Sequence, residues 1–404
     1  MAIAQGISKI TTVKKQTGLG VAASGSGGQI LRRETSANNL KIDTYTNNEI
    51  VQHQQSTGIT NGLRTANADL KGVLSPGTYK DIIASVLRKA FTATTAITGA
   101  SITVAGTLGA YTLTRAAGSY LTDGIKIGDV VRLTAGSFNA SNINKNLFVT
   151  NVTALVLTVA TLNGSSMVAE GPIASATLSV PGKKTIAPTT GHTQEYWTVE
   201  DWQSDISVSE KFTDIVFGGL DLGLPSTGNA TIGIMGIGRD RTTSGSQVLT
   251  TPTAATTTNP LAAITGILYV NGAAATYVTG ASIKIDGKAA SMGAVIGSNT
   301  TPDIQRGRIE VSGQFTALYQ DSVLSGLYES GANFGFAIVL ADSSLAAADF
   351  VSFNMSQIAL TSDTKDDGEK GIVKTHSFVA EINSTGGAAL ANDQTIISVQ
   401  DSQA

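Results

Sequence analysis

The chain contains no cysteine, which removes thiol catalysis, disulfide bonds and every cysteine-based metal site at once. Charge is scarce as well. Lys and Arg total 27 and Asp and Glu total 30, so only 14% of the 404 residues are charged and the formal net charge is −3. An ordinary soluble domain carries about 25% charged residues. With neither a surplus nor a run of Lys and Arg, a basic nucleic-acid-binding surface is not expected. The three histidines, His53, His192 and His376, lie far apart, and none belongs to an HExxH-type ligand pair. No apolar run approaches the roughly 20 residues of a membrane helix. Met1–Ile10 lacks the apolar core of a secretory signal, so none is expected there.

Small residues fill the space left by charge: Ser, Thr, Ala, Asn and 44 glycines, with only 8 prolines. At 41% hydrophobic residues the chain can bury a core, and disorder is not expected. Length alone suggests two or three domains. The composition describes a soluble, intracellularly made, β-rich protein whose uncharged surface suits coverage by neighbours.

Residues 1–29 hold Lys14-Lys15 and a small-residue tract, Gly18 to Gly28, too rich in glycine to order alone. They are read as an N-terminal arm, either a free tail or a segment that orders against another subunit. Leu40–Tyr45 alternates as a half-buried strand does, whereas Thr46–Ala66 is polar without clear periodicity. Pro76-Gly77 then breaks the chain before Tyr79–Phe91. There Ile82, Ile83, Val86, Leu87 and Ala90 form one helical stripe, with Thr78 as the expected N-cap.

Between 94 and 184 short strands recur at near-regular spacing, separated by Asp123-Gly124, Gly128-Asp129 and Asn163-Gly164, which predicts a small inserted all-β barrel or sandwich. Gly124–Leu133 resembles the Gly-Asp turn of small SH3-like barrels. Strands at Glu195–Trp202, Ile206–Glu210 and Asn229–Arg239 complete the first domain, 30–93 and 185–245. Residues 246–262 read as a linker, and 263–404 as a further domain.

That further domain repeats the first. Ala281–Asp286 mirrors Asn39–Asp43, Arg308–Gly313 mirrors Ala68–Gly72, and Ala317–Tyr328 mirrors Thr78–Leu87, at offsets of 240–243 residues. A tandem duplication of one β-rich fold carrying a single helix follows. The fold class is therefore mainly β.

Chemistry is sparse. Gly233–Gly238 clusters glycines without the dinucleotide-binding order and reads as a closely packed strand. Asp363–Gly368 imitates a calcium loop, but Lys365 occupies a ligand position and Lys374 stands in place of the closing Glu, so a solvated turn is expected. Glu200, Asp201, Asp205 and Glu210 offer carboxylates, yet nothing in the sequence implies raised pKa values. Trp197 and Trp202 read as core and rim. No catalytic, metal-binding or cofactor-binding residue emerges, and an enzyme is not expected.

The run Leu31–Ser36 into Leu40–Glu49, then Gly72–Asp81 and its helix, resembles the major tail tube proteins of long-tailed bacteriophages. Arg308–Phe315 before its helix is similar in weaker form. The resemblance spans about 30–92, 193–240 and 264–385. It implies two tail-tube β-sandwiches or barrels with one flanking helix each, closing into rings that stack into a hollow tube through which the genome passes to the host. A duplicated chain implies three copies per ring with pseudo-sixfold symmetry, six remaining open. Tape measure, tail-tip and tail terminator proteins are the implied partners, with DNA passing unbound and no membrane partner. The implied location is the virion tail, of the non-contractile siphovirus type, after synthesis in the host bacterial cytoplasm. The lumen should lack Lys/Arg clusters and lean acidic. The arm 10–30 and the stretch 46–66 are the expected ring-to-ring contacts, and the 94–184 insert is expected on the outside. The alternative reading is a β-rich adhesin or fibre-type binding protein, which calls for an export or anchoring signal.

Overall fold

The computed structural model describes residues 3–53, 55–369 and 371–404. Strands β1 (Lys9–Lys15) and β2 (Ser26–Ile30) precede a hairpin of β3 (Asn39–Thr46) and β4 (Ile59–Val73). The stretch 46–66, expected to lack periodicity, thus supplies half of β4. Its buried positions are Gly62, Ala66, Ala68, Leu70 and Gly72. Side chains that small leave a weak period-two signal. Pro76 and Gly77, the latter at φ +74°, turn the chain into α1 (Lys80–Leu87), where Ile82, Ile83, Val86 and Leu87 are buried. Thr78 is not the cap. Its hydroxyl pairs with Ser75 at 2.7 Å, and Tyr79 takes the cap position without a side-chain bond. Arg88 ends the helix at φ 60°, so Ala90 falls beyond it and is exposed.

Gly77 N donates to Asp401 Oδ2 at 2.8 Å, tying the turn before α1 to the chain's last strand. Burial pushes the Asp401 carboxyl up to about 6. An acid whose folded-state pKa lies above its unfolded value contributes stability below the unfolded pKa and loses it as pH rises through the folded pKa. Relative to Asp401→Asn, the wild-type chain should therefore lose on the order of 2–3 kcal/mol between pH 4 and pH 7. Urea titrations of both proteins at these two pH values check it.

Strands β5 (Ile97–Thr107), β6 (Ala110–Arg115), β7 (Val130–Ala135), β8 (Leu147–Val152), β9 (Val156–Thr161) and β10 (Glu170–Ser179) close into a six-stranded barrel, in the order β9-β6-β5-β10-β7-β8. Its core, with Tyr120, Leu133 and Leu157 at its centre, is separate from that of the rest of the chain. Thr92 and Lys184 exchange two backbone hydrogen bonds (2.8 and 2.9 Å), so the barrel leaves and rejoins the body at one point. Phe148 stacks on Tyr269 with centroids 4.1 Å apart, and the Gln400 amide bonds both Val130 N and Val130 O (2.8 and 3.0 Å). The barrel is thus inserted in the first half of the chain yet rests on the second.

After β11 (Lys183–Ile186) come β12 (Trp197–Gln203), β13 (Val208–Leu224), β14 (Thr231–Gly238) and β15 (Asp240–Ser244). Only the start of β13 was legible as Ile206–Glu210; the strand runs for 17 residues. Its first half pairs with β12 and β15 and its second with β14, so one strand serves two sheets. Gly236 lies where a Cβ would stand 2.9 Å from Ile215 Cγ2, the close packing expected of the glycine-rich strand.

The N-terminal segment is not a free arm. All seven residues of β1 pair antiparallel with β12, while Gly20 N donates to Asp214 Oδ1 (2.7 Å) and Ala23 N to Thr198 Oγ1 (2.9 Å). The buried run Thr11-Thr12-Val13 fits a pleated sheet, and bonds to the body order the glycines that cannot order themselves. The 246–262 segment is no loose linker either. Glu200 accepts the amides of Val248 and Leu249 (2.6 and 2.8 Å), Thr251–Thr253 pairs with β2, and Leu249 and Leu261 are buried.

The second half contains β16 (Gly266–Val270), β17 (Val278–Asp286), β18 (Glu310–Leu318), α2 (Val323–Ser330), β19 (Phe334–Ala341), β20 (Phe350–Asp366), β21 (Val373–Ala380) and β22 (Ser398–Asp401). Its pairing order β16-β19-β20-β21-β18-β17 matches β1-β12-β13-β14-β4-β3 strand for strand, antiparallel throughout. The bulges match too. Those in β13, flanking Ile215 and between Phe217 and Gly219, recur in β20 at Ile358 and between Leu360 and Ser362, 143 positions on in each case.

Register corrects the offset read from residue likeness. Met235 and Ser377 lie opposite Gly219 and Ser362; they face Asp69 and Gln314, which are 245 positions apart rather than 240–243. The helices, beginning at Lys80 and Val323, are 243 apart, because the second strand-to-helix turn is two residues shorter. The expected second helix, Ala317–Tyr328, starts later for this reason: Ala317 and Leu318 still belong to β18.

Candidate functional site

β13 and β17 pair from Gly219↔Asp286 to Leu224↔Ala281, which fuses the inner sheets of both halves. The result is one antiparallel sheet of eight strands, β3-β4-β14-β13-β17-β18-β21-β20. One face is apolar and buried. Leu220, Leu222, Ile283, Ile285, Phe315 and Phe378 all sit in a single core that runs through both halves and includes residues of α1 and α2.

Alternation puts a different set on the other face. Lys71, Asp69, Asp221, Lys284 and Gln314 are exposed there, interspersed with Gly233, Ser282, Thr316 and Ser377. Acids and bases are placed side by side: Asp221 faces Lys284 across the junction, and Asp286 bonds Lys288 at 3.0 Å. A mostly polar wall with locally cancelled charge, broken by the exposed Met235 and Val379, offers phosphates no cluster of cations. Its charges are close to balance.

Two edges complete the site. Among the described residues, nothing pairs with the outer edge of β3 or with Ser362–Asp366 of β20 on the side away from β21. Each presents unmet backbone donors and acceptors, which in a long strand template further pairing.

The residues singled out for chemistry serve the fold. Glu200 is buried, accepting Ser209 Oγ besides the two amides of the 246–262 segment. Asp201 is buried against Lys9 Nζ (2.7 Å), Thr11 Oγ1 (2.7 Å) and Asn38 Nδ2 (2.9 Å). Glu210 pairs with Arg241 at 2.8 Å, and Asp205 accepts Gln5 N at 2.6 Å. Trp197 is core, its indole donating to Ser85 Oγ at 3.1 Å, and Trp202 is half-buried. Asp363 binds Lys374 at 2.8 Å, within the strand pair β20–β21. His376 is buried beside Phe315, where burial holds its imidazole below the usual range; His53 and His192 are exposed on separate loops. Among the described residues no group of three or more His, Asp or Glu is arranged to hold a metal ion.

Residue-by-residue reading missed the polar face and the two edges, because no single residue marks them. The legible signal is the alternation over residues 66–72 of β4 and 281–286 of β17, whose outward positions are polar while the inward ones are apolar or glycine. A family model described as phage tail tube protein matches residues 10–386 of the chain. No curated protein matches it.

Proposed function

The chain belongs to the phage tail tube protein family, and from that premise we propose that it is the ring-forming subunit of a tail tube, its polar sheet face lining the conduit for DNA. The eight-stranded sheet with one apolar and one polar face and two open edges carries this reading. Three chains, each a tandem duplicate, close a ring of 24 strands. The matched strand order and matched bulges support the duplication, since bulges behave as built features. At about 4.8 Å between strands and a tilt near 40°, 24 strands give a backbone cylinder about 48 Å wide, which clears a DNA duplex inside its side chains. Sixteen strands give the width of a porin-sized channel.

The polar wall lets DNA slide rather than bind. The outer sheets and the 94–184 barrel face away from the lumen. Exposed Ile42, Tyr45, Ile50 and Ile59 on the β3–β4 hairpin are the contacts for the next ring, in place of the N-terminal arm. Tape measure, tip and terminator proteins meet the tube inside and at its ends. Negative-stain electron microscopy of the purified protein, with its mass in solution, tests the reading. Rings or tubes with a central hole and threefold averages are expected. A protein that stays monomeric, even when offered a preformed tail tip, contradicts it.

A further inference from the structure

The intrachain junction is a template for the contact between chains. In the first half, the second half of β13 is covered on its free side by β17. The matching stretch of β20, Ser362–Asp366, has no such neighbour, and β3, which matches β17, has an open outer edge. We infer that Ser362–Asp366 of one chain adds antiparallel to Ala37–Lys41 of a second copy, repeating the β13–β17 junction at the chain boundary. This rests on the ring reading and gives it a register.

Moving β13 by 143 positions and β17 back by 245 carries Leu220↔Ile285 onto Asp363↔Leu40, and Leu222↔Ile283 onto Lys365↔Asn38. The hydrogen-bond phase agrees from two directions. Gly287 N donates to Gly218 O (2.6 Å), so Leu220 and Leu222 point their backbone groups at β17, and Asp363 and Lys365 point theirs at the open edge. Independently, Ala37 N donates to Asp69 O (2.8 Å), so Ala37 and Asn39 face β4 while Asn38 and Leu40 face outward. Two edges with matched phase can zip without either side slipping by one residue.

The side chains differ from those of the template in a telling way. The intrachain pair Leu222–Ile283 is apolar and buried, whereas its counterpart is Lys365 with Asn38. Asn38 is 7% exposed, and its Oδ1 is a buried acceptor with no partner in the isolated chain. Lys365, half-exposed with only Asp367 at 3.9 Å, brings an ammonium donor to that position. A polar junction of this kind opens and closes more readily than the apolar one inside the chain, which suits a subunit that folds before it assembles.

The test uses the absence of native cysteine. Asn39 and Thr364 become a non-hydrogen-bonded pair, whose Cα separation of roughly 4.5 Å lies within disulfide range. A chain carrying both Asn39→Cys and Thr364→Cys should oxidise during assembly to covalent dimers and closed trimers. Lys41→Cys with Thr364→Cys, two residues out of register, should give roughly tenfold less cross-linking. Lys365→Pro removes an outward N–H, a change edge strands tolerate, and should leave a folded monomer that forms no rings. Rings that form while the 39/364 pair fails to cross-link, or cross-links no better than the 41/364 pair, overturn the register and leave the ring reading standing. Wild-type protein that forms no rings, even when offered a preformed tail tip, overturns both.

Discussion

Phe315→Ala is expected to lower the stability of the folded chain by about 3–5 kcal/mol, and Leu70→Ala, its topological counterpart in the first half, by about 2–5 kcal/mol. Phe315 is fully buried, with Phe336 and Phe378 at centroid distances of 5.2 and 6.3 Å, and Leu70 is 3% exposed in the same core. The informative part is the shape of the transition. Because the eight-stranded sheet and its core run through both halves, each substitution should move one shared unfolding transition. The barrel, with its own core, should respond little to either. Urea denaturation followed by tryptophan fluorescence reports on this, since Trp197 lies in the shared core and the barrel has no tryptophan. Two separate transitions, each sensitive to one substitution only, would show that the halves fold independently.

Asp201→Ala should cost about 3–5 kcal/mol, the range for removing one partner of a buried ion pair. The carboxylate is 1% exposed and accepts from Lys9, Thr11 and Asn38, joining the first strand and the edge beside β3 to β12. Its loss leaves an ammonium, a hydroxyl and an amide with Ser36 as their remaining partner. Local damage should exceed the global loss: the amides of Lys9–Lys15 should lose hydrogen-exchange protection well before those of β13. Asp201→Asn keeps the shape and should cost less, since only the charge partner of Lys9 goes. Uniform protection across β1 in Asp201→Ala would show that the strand is held by its ladder alone.

How much of this was legible follows from what each element depends on. The β3 alternation, α1 and the barrel strands were readable, because each carries its own periodicity or turn residues. The N-terminal strand was not, since Lys9–Lys15 mixes lysine, threonine and valine and becomes a strand only when β12 lies beside it. Most of β13 was hidden for a related reason: Gly218, Gly219 and Gly223 interrupt the pattern where the strand changes sheets. The repeat showed in the order of elements, but residue likeness misplaced it by 2–5 positions, as only hydrogen-bond register counts residues across a bulge. The polar face and the open edges belong to no single segment and exist only once eight strands lie side by side. Glu200 and Asp201, which look like candidate acids in a sequence, are structural because the groups they accept from lie far along the chain.

The central claim is that three chains join their eight-stranded sheets into one wall, polar side inward. An electron cryomicroscopy reconstruction of the assembled tube tests it most directly. The account predicts a threefold ring of 24 continuous antiparallel strands, with Asp221 and Lys284 on the lumen surface and the barrel outside. A tube whose wall breaks at the chain boundary, or whose lumen is lined by the outer sheets, would contradict it.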